Sequence, residues 1–219
     1  MGDERSGRTR RMYHLDAVDR IVCDDMPDLD PVDVLPASLR AFNTCARITD
    51  HGAGVHFFLD DYRFENVWRN PYRYVSMLER FGCVMTPDFS CYLDMPRPMQ
   101  LWNVYRSRVV GRIWQDAGLL VVPTLTWGDT DTYPFAWLGV PSRSTVCVSS
   151  VGLLADKEGR ELFQRGASEA CRALEPMRVL AYGREADFDA HGAEVVWYGS
   201  AMQDRFEAMR RERREAASA

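Results

Sequence analysis

Asp60, Asp61 and Asp88 each follow a short apolar run, in VHFFLDD (55–61) and CVMTPD (83–88). The ends of parallel strands in a β/α arrangement share one edge, so these carboxylates gather at a single rim. Carboxylates in unlike surroundings divide the labour of glycosidic bond cleavage. One attacks or stabilises an oxocarbenium-like sugar carbon, and the other, with a raised pKa, protonates the leaving group. Asp88 suits the nucleophile and Asp60 or Asp61 the acid/base. The same aspartates could instead hold Mg²⁺ for phosphodiester or phosphate-ester chemistry, with arginine on the phosphate. The bland account is helix capping, since aspartate is a favoured N-cap and Asp61 and Asp88 both precede helices or turns. Several polar strand ends converging on one edge favour a site over caps alone.

The remaining rim residues supply substrate contacts. Ser90 follows the second strand, Trp127 and Asp129 the third, Tyr182 the fifth and Tyr198 the sixth, while Asp94, Gln100, Asn103 and Arg106 reach in from the start of the second helix. Trp127 and Tyr198 could stack a base. Three of the four histidines, His14, His51 and His191, fall outside this set, and His56 lies within the first strand. A histidine-dependent nucleophile and a histidine zinc site are therefore not expected. The six cysteines form no CxxC pair, which argues against structural zinc and a disulfide scaffold and for reduced thiols, with Cys83 and Cys147 as core filler. No cofactor is required for the glycosidic reading; Mg²⁺ belongs to the alternative.

These side chains need strands and helices to position them. VHFFLD is a nearly continuous apolar run, as in a strand covered on both faces. Phe64 to Phe81 has helical spacing broken at Asn70-Pro71, CVMT is the second strand, and Pro98 starts a helix ending near Gly118. LLVVPTLTW is a third strand interrupted by Pro123, STVCVSS a fourth, and DKEGRELFQRGASEACRALE a helix. RVLAYG and EVVWYG are the last strands, joined by a segment too short for a helix crossover. The pattern predicts an α/β fold with a mainly parallel sheet of about six strands, partly barrel-like, because nearly every strand ends in polar residues. A single domain spans 35–200. It is flanked by a polar and acidic N-terminal extension (1–34), disordered over its first twelve residues and irregular from Asp16 to Asp33, and by a charged C-terminal helix or tail (201–219).

A chain of 219 residues with 46% apolar and 27% charged residues is ordinary for one globular domain. No apolar run approaches membrane-spanning length and the charged N-terminus is not a secretory signal, so the expected location is cytoplasmic, away from membranes. The net charge of −5 is uneven: residues 62–112 carry eight arginines against four acids, interleaved with aromatics. Such a stretch suits phosphate and base contacts, although solvated arginines around an aromatic core would look the same. Lys157 is the only lysine, so the arginine bias also fits genomic base composition.

FLDDYRFE (58–65), TPDFSCYLDMP (86–96), QLWNVYRSR (100–108) and the Trp-Gly-Asp of 127–129 are the most specific pieces of a resemblance covering roughly Leu35 to Ser200. There the chain resembles the domain-of-unknown-function 4417 family of bacterial, archaeal and phage or other mobile-element proteins. The resemblance implies action on nucleic acid or nucleotides, or interference with a host or rival through a protein partner. The leading expectation is an enzyme acting on a nucleotide or nucleic acid through its rim carboxylates, by N-glycosidic hydrolysis or base exchange. The rivals are a Mg²⁺-dependent nuclease or phosphoesterase and a non-catalytic module binding nucleic acid or a host protein.

Overall fold

A computed structural model describes residues 2–15, 21–23, 26–48 and 50–199. The expected C-terminal helix or tail (201–219) lies outside these residues, as does part of the acidic stretch after Asp16.

Seven parallel strands among the described residues form the frame. Strands β3 (Ser38–Ala41), β4 (Ala53–His56), β5 (Cys83–Met85) and β6 (Val121–Val122) make one sheet; β7 (Thr145–Ser149), β8 (Arg178–Tyr182) and β9 (Glu194–Tyr198) make another. One parallel bridge, Thr124 to Cys147, joins them. All seven therefore follow one another in chain order. The arc curls: His56 and Phe58 come from the β4 end, Tyr182 from β8, yet their rings stack at 4.2 and 5.2 Å. Among the described residues no backbone ladder joins β9 to β3. The Tyr198 hydroxyl instead donates to the Pro36 carbonyl at 2.7 Å, so the barrel is partial.

Strand alternation sets the two faces. Val55 and Phe57, with Val84 and Val121, face outward into a core built with α4 (Arg97–Asp116); Val146, Val148, Val179 and Ala181 do the same against α6 (Lys157–Leu174). The alternate positions, Cys83, Met85, Val122, Cys147, Leu180 and Tyr182, fill the inside of the arc. Both faces of β4 to β8 are buried, which is why these strands read as unbroken apolar runs. The long helix breaks as its sequence predicts, into α2 (Glu65–Arg69), a 3₁₀ turn started by Pro71 and α3 (Val75–Leu78). α6 begins where the Asp156 side chain accepts the Gly159 N–H at 2.8 Å. No helix joins β8 to β9. A short helix α5 (Tyr133–Ala136) sits in the loop after β6.

Three differences from the sequence expectation have simple causes. β3 lacks an apolar run, because its residues on the sheet edge are only half-buried. The first twelve residues, expected to be disordered, are helical over α1 (Gly2–Met12), and the buried His14 donates Nε2–H to the Trp68 carbonyl at 2.6 Å. The acidic segment is not a surface excursion along its described length. It holds the short antiparallel pair β1 (Ile21–Cys23) and β2 (Met26–Pro27), and Met26 within β2 and Leu29 and Val32 beyond it are buried. Val32 accepts the Thr145 N–H at 2.7 Å, while Asp30 pairs with Arg112 and Asp33 with Arg178. This strap seals the N-terminal edge of the arc.

Candidate functional site

The loops after β4 and β5 and the first turns of α4 meet at the C-terminal rim. Asp61 opens a 3₁₀ turn (Asp61–Arg63), and its carboxylate accepts two hydrogen bonds from Ser90, at 3.1 Å from the backbone N–H and 2.7 Å from the hydroxyl. The Ser90 carbonyl in turn accepts from Asn103 Nδ2 at 2.7 Å, and Asn103 Oδ1 accepts from Arg106 at 2.6 Å. Arg106 is buried, its Nη1 donates to both Glu65 carboxylate oxygens at 2.8 and 3.1 Å, and its guanidinium stacks 3.8 Å from the Phe89 ring centre. This chain of contacts ties α2, the β5 loop and α4 together and ends on Asp61.

Asp88 sits one residue before Phe89, half-buried beside that chain. The Thr126 hydroxyl donates to its Oδ1 at 2.5 Å. Crowding by protein raises its pKa to about 6; the Thr126 bond opposes the rise and the nearby Asp61 charge adds to it. The two neighbouring carboxyls therefore sit in unlike surroundings: Asp61 accepts both Ser90 donors, while Asp88 is crowded by protein and more easily protonated than an ordinary carboxylate.

The loop carrying Thr126 is braced from within. Arg108, 1% exposed, donates to the carbonyls of Leu138, Thr124 and Ala136 at 2.9, 3.2 and 2.9 Å. Burial lowers its pKa to about 10, and Arg112 is similarly buried. Half of the basic middle is thus spent inside: Arg106, Arg108 and Arg112 are buried and Arg80 half-buried.

The other predicted rim residues scatter. Asp60 is exposed and pairs with Arg63 at 3.3 Å. Asp94 is exposed. Gln100 is buried and donates to the Tyr92 carbonyl at 2.8 Å. Trp127 turns outward onto α6, with its Nε1–H on the Leu162 carbonyl at 3.4 Å and its ring against Trp137 and Phe163. Asp129 caps the turn Thr130–Thr132. Tyr182 and Tyr198 lie inside the arc; burial pushes the Tyr198 phenol up to about 12. The structure therefore brings together Asp61, Asp88, Ser90, Asn103 and Arg106.

Thr126 stands at the rim after the third strand, as its position predicts; Glu65 is a contributor that the rim residues did not include, and His56 is a further buried polar group, inside the arc. Thr126 and Glu65 are reached only by long-range contact. His56 had a signal, since His56 and Phe58 alternate with the outward Val55 and Phe57. Its Nδ1 accepts the Phe58 N–H at 3.2 Å, and burial lowers its pKa to about 3, so it stands neutral inside the arc. Cys45, Cys83, Cys91, Cys147 and Cys171 are free, and burial raises Cys83 and Cys91 to about 12, as for thiol core filler. Among the described residues no three histidine, cysteine or acidic side chains cluster as metal ligands. None of the described helices is long and apolar enough to cross a membrane. A cavity bounded by Leu78, Phe81, Gly82, Ala117 and Leu120 lies at the opposite edge of the sheet, away from the carboxylates.

Fold and rim together define the class: an α/β protein with a parallel, chain-ordered arc and a carboxylate pair at its C-terminal edge. The model of the family described as Domain of unknown function (DUF4417) matches residues 19–198, and the chain belongs to that family. It is similar to the Gene 1 protein of Mycobacterium phage L5, 44% identical over 164 residues that cover 73% of this chain and 71% of that protein. The Gene 1 protein of Mycobacterium phage D29 is 43% identical over 164 residues, covering 73% of this chain and 60% of the relative, less than two thirds of its length. No solved structure matches the chain.

Proposed function

We propose that the protein is an enzyme that cleaves or exchanges an N-glycosidic bond in a nucleotide or nucleic acid at the Asp61–Asp88 pair. The observation that carries this reading is the pair's unlike surroundings: Asp61 accepts two hydrogen bonds from Ser90, and Asp88, crowded by protein and bonded by Thr126, has a raised pKa. Asp61, held by both Ser90 donors, supplies the negative charge that attacks or stabilises an oxocarbenium-like carbon. Asp88, protonated up to about pH 6, donates to the departing base. These roles invert the initial assignment of Asp88 as nucleophile, because a group whose charged form is disfavoured serves better as acid. Asn103 and Arg106 position the Ser90 loop from behind.

Incubation with DNA, total tRNA and free nucleosides, followed by mass spectrometry, tests the reaction. Free base released by wild-type protein and lost in Asp88→Asn and Asp61→Asn supports it. The rate should fall as pH rises through about 6, since the acid loses its proton. A rate that instead falls on acidification returns Asp88 to the nucleophile role, and metal-dependent strand fragments in place of free base transfer the pair to Mg²⁺. In that rival the two aspartates supply few ligands of their own, so substrate phosphates and water complete the shell.

A further inference from the structure

We infer that one side of the molecule, beside the rim, is a binding face for single-stranded nucleic acid, built from α1 and the α2 region. Two stretches of sequence make it. Residues 5–15, RSGRTRRMYHL, and 66–78, NVWRNPYRYVSML, together contain six arginines and no acid. They are far apart in the chain but joined in space by the His14 to Trp68 hydrogen bond at 2.6 Å, with the His14 ring edge-on to Trp68 at 4.9 Å. Tyr13 meets Trp102 at 6.1 Å, and Trp102 meets Trp68 at 5.2 Å. These contacts seat the C-terminal end of α1 against the α2 region, and Arg8, Arg10, Arg11, Arg69 and Arg73 on the two stretches are all exposed. The same stretches and the adjoining start of α4 expose Tyr13, Tyr72 and Trp102, with Tyr72 59% accessible.

The chemistry selects the occupant. Arginines without intervening acids attract a polyanion, and each phosphate contact adds a salt-dependent contribution. Exposed aromatic rings among them add stacking, which only unpaired bases can use. A lipid surface fits poorly, because α1 (GDERSGRTRRM) offers Met12 as its only large apolar side chain and so has no apolar stripe to bury. The face also leads to the rim: Trp102 directly precedes Asn103, whose amide holds the Ser90 loop against Asp61. This deepens the reading above by making the substrate a strand rather than a free nucleotide.

Fluorescence anisotropy with a short labelled single strand of mixed sequence, titrated with the full chain at several salt concentrations, tests it. The strand should bind more tightly than its duplex and weaken steeply with salt. The double substitution Arg8→Glu, Arg11→Glu should weaken binding about tenfold or more, and Tyr72→Ala about fivefold. Thermal melts confirm that each variant folds; should the double variant unfold, Arg69→Glu on the other stretch replaces it. Asp88→Asn should bind like wild type. Wild-type affinity in the charge-reversed and Tyr72 variants, duplex binding as tight as single-strand binding, or saturation only by an acidic polypeptide would overturn the face while leaving the rim chemistry standing. A protein that binds the strand through these residues but releases no base supports the face and removes the enzymatic reading.

Discussion

Asp88 and His56 pull the pH dependence of stability in opposite directions. Asp88 has a folded pKa of about 6 against an ordinary 3.8. The stability it contributes is full below pH 4 and is lost as pH rises through 6. His56 has a folded pKa of about 3 against an ordinary 6.5. The unfolded chain takes up a proton below 6.5 that the folded chain refuses, so stability falls with acidification at about 1.4 kcal/mol per pH unit. Between pH 4 and 6 the two nearly offset each other. Asp88→Asn should therefore raise the melting temperature at pH 7.5, by the equivalent of about 1–3 kcal/mol, yet change little at pH 4. His56→Gln should lower stability at neutral pH but flatten its decline in acid. Thermal melts of both variants at pH 4, 6 and 7.5 read these differences, and a destabilising Asp88→Asn at pH 7.5 would show that Asp88 serves the fold rather than a reaction.

At the level of elements, the rim is held by braces that lie behind it. Arg108 fixes the loop from Thr124 to Leu138 by three carbonyls, and that loop delivers Thr126 to Asp88. The same loop is held on its other side by Trp127, whose indole is seated on α6 at Gly166. A Cβ at Gly166 would come within 1.9 Å of the Trp127 ring nitrogen. The glycine is there because the helix and the indole share that volume, and helix propensity alone would favour alanine. Gly166→Ala should accordingly destabilise the protein by about 1–3 kcal/mol through overpacking, measured by urea unfolding. It should also disorder the loop and shift the Asp88 titration toward the ordinary carboxylate range, measured by NMR. An equally stable Gly166→Ala protein would mean that the indole moves freely and braces nothing.

The whole molecule is an arc whose open side and lower edge are closed by side chains and by a strap rather than by further ladder. Tyr198 bonds Pro36 across the seam. Arg178 joins Asp33 and Glu194 at 2.7 and 2.8 Å, while Val32 and Val34 cover the inside residues from below. Because Val32 is 8% exposed and pairs through its backbone with β7, the strap belongs to the cooperative unit. Val32→Asp should cost about 3 kcal/mol or more, since it places an unpaired carboxylate against the inside core. Urea unfolding should show the loss in a single transition. A Val32→Asp protein with wild-type stability would make the strap an accessory.

Much of this architecture is legible along the chain, and the site only in part. Six of the seven parallel strands, the break at Asn70-Pro71, the helix from Pro98 and the helixless link between β8 and β9 follow from local rules: apolar runs, ring-constrained prolines and turn residues act over a few positions. β3 escaped because an edge strand buries little. Asp61, Asp88, Ser90, Asn103 and Arg106 were readable as a group because strand ends and a helix start meet at a common edge. Which of them touch was not. The Ser90 to Asp61 pair spans 29 positions and the Thr126 to Asp88 pair 38, and such contacts depend on the relative placement of packed elements. Likewise the arginine-rich middle is plain in composition, while the fate of its α4 arginines, buried Arg106, Arg108 and Arg112 against exposed Arg97, follows from which side of α4 is covered. Local steric and hydrophobic patterning determined the elements and their order; only the packed structure, by desolvating Asp88 and bringing Ser90 onto Asp61, decided that Asp88 keeps its proton to a higher pH than an ordinary carboxylate.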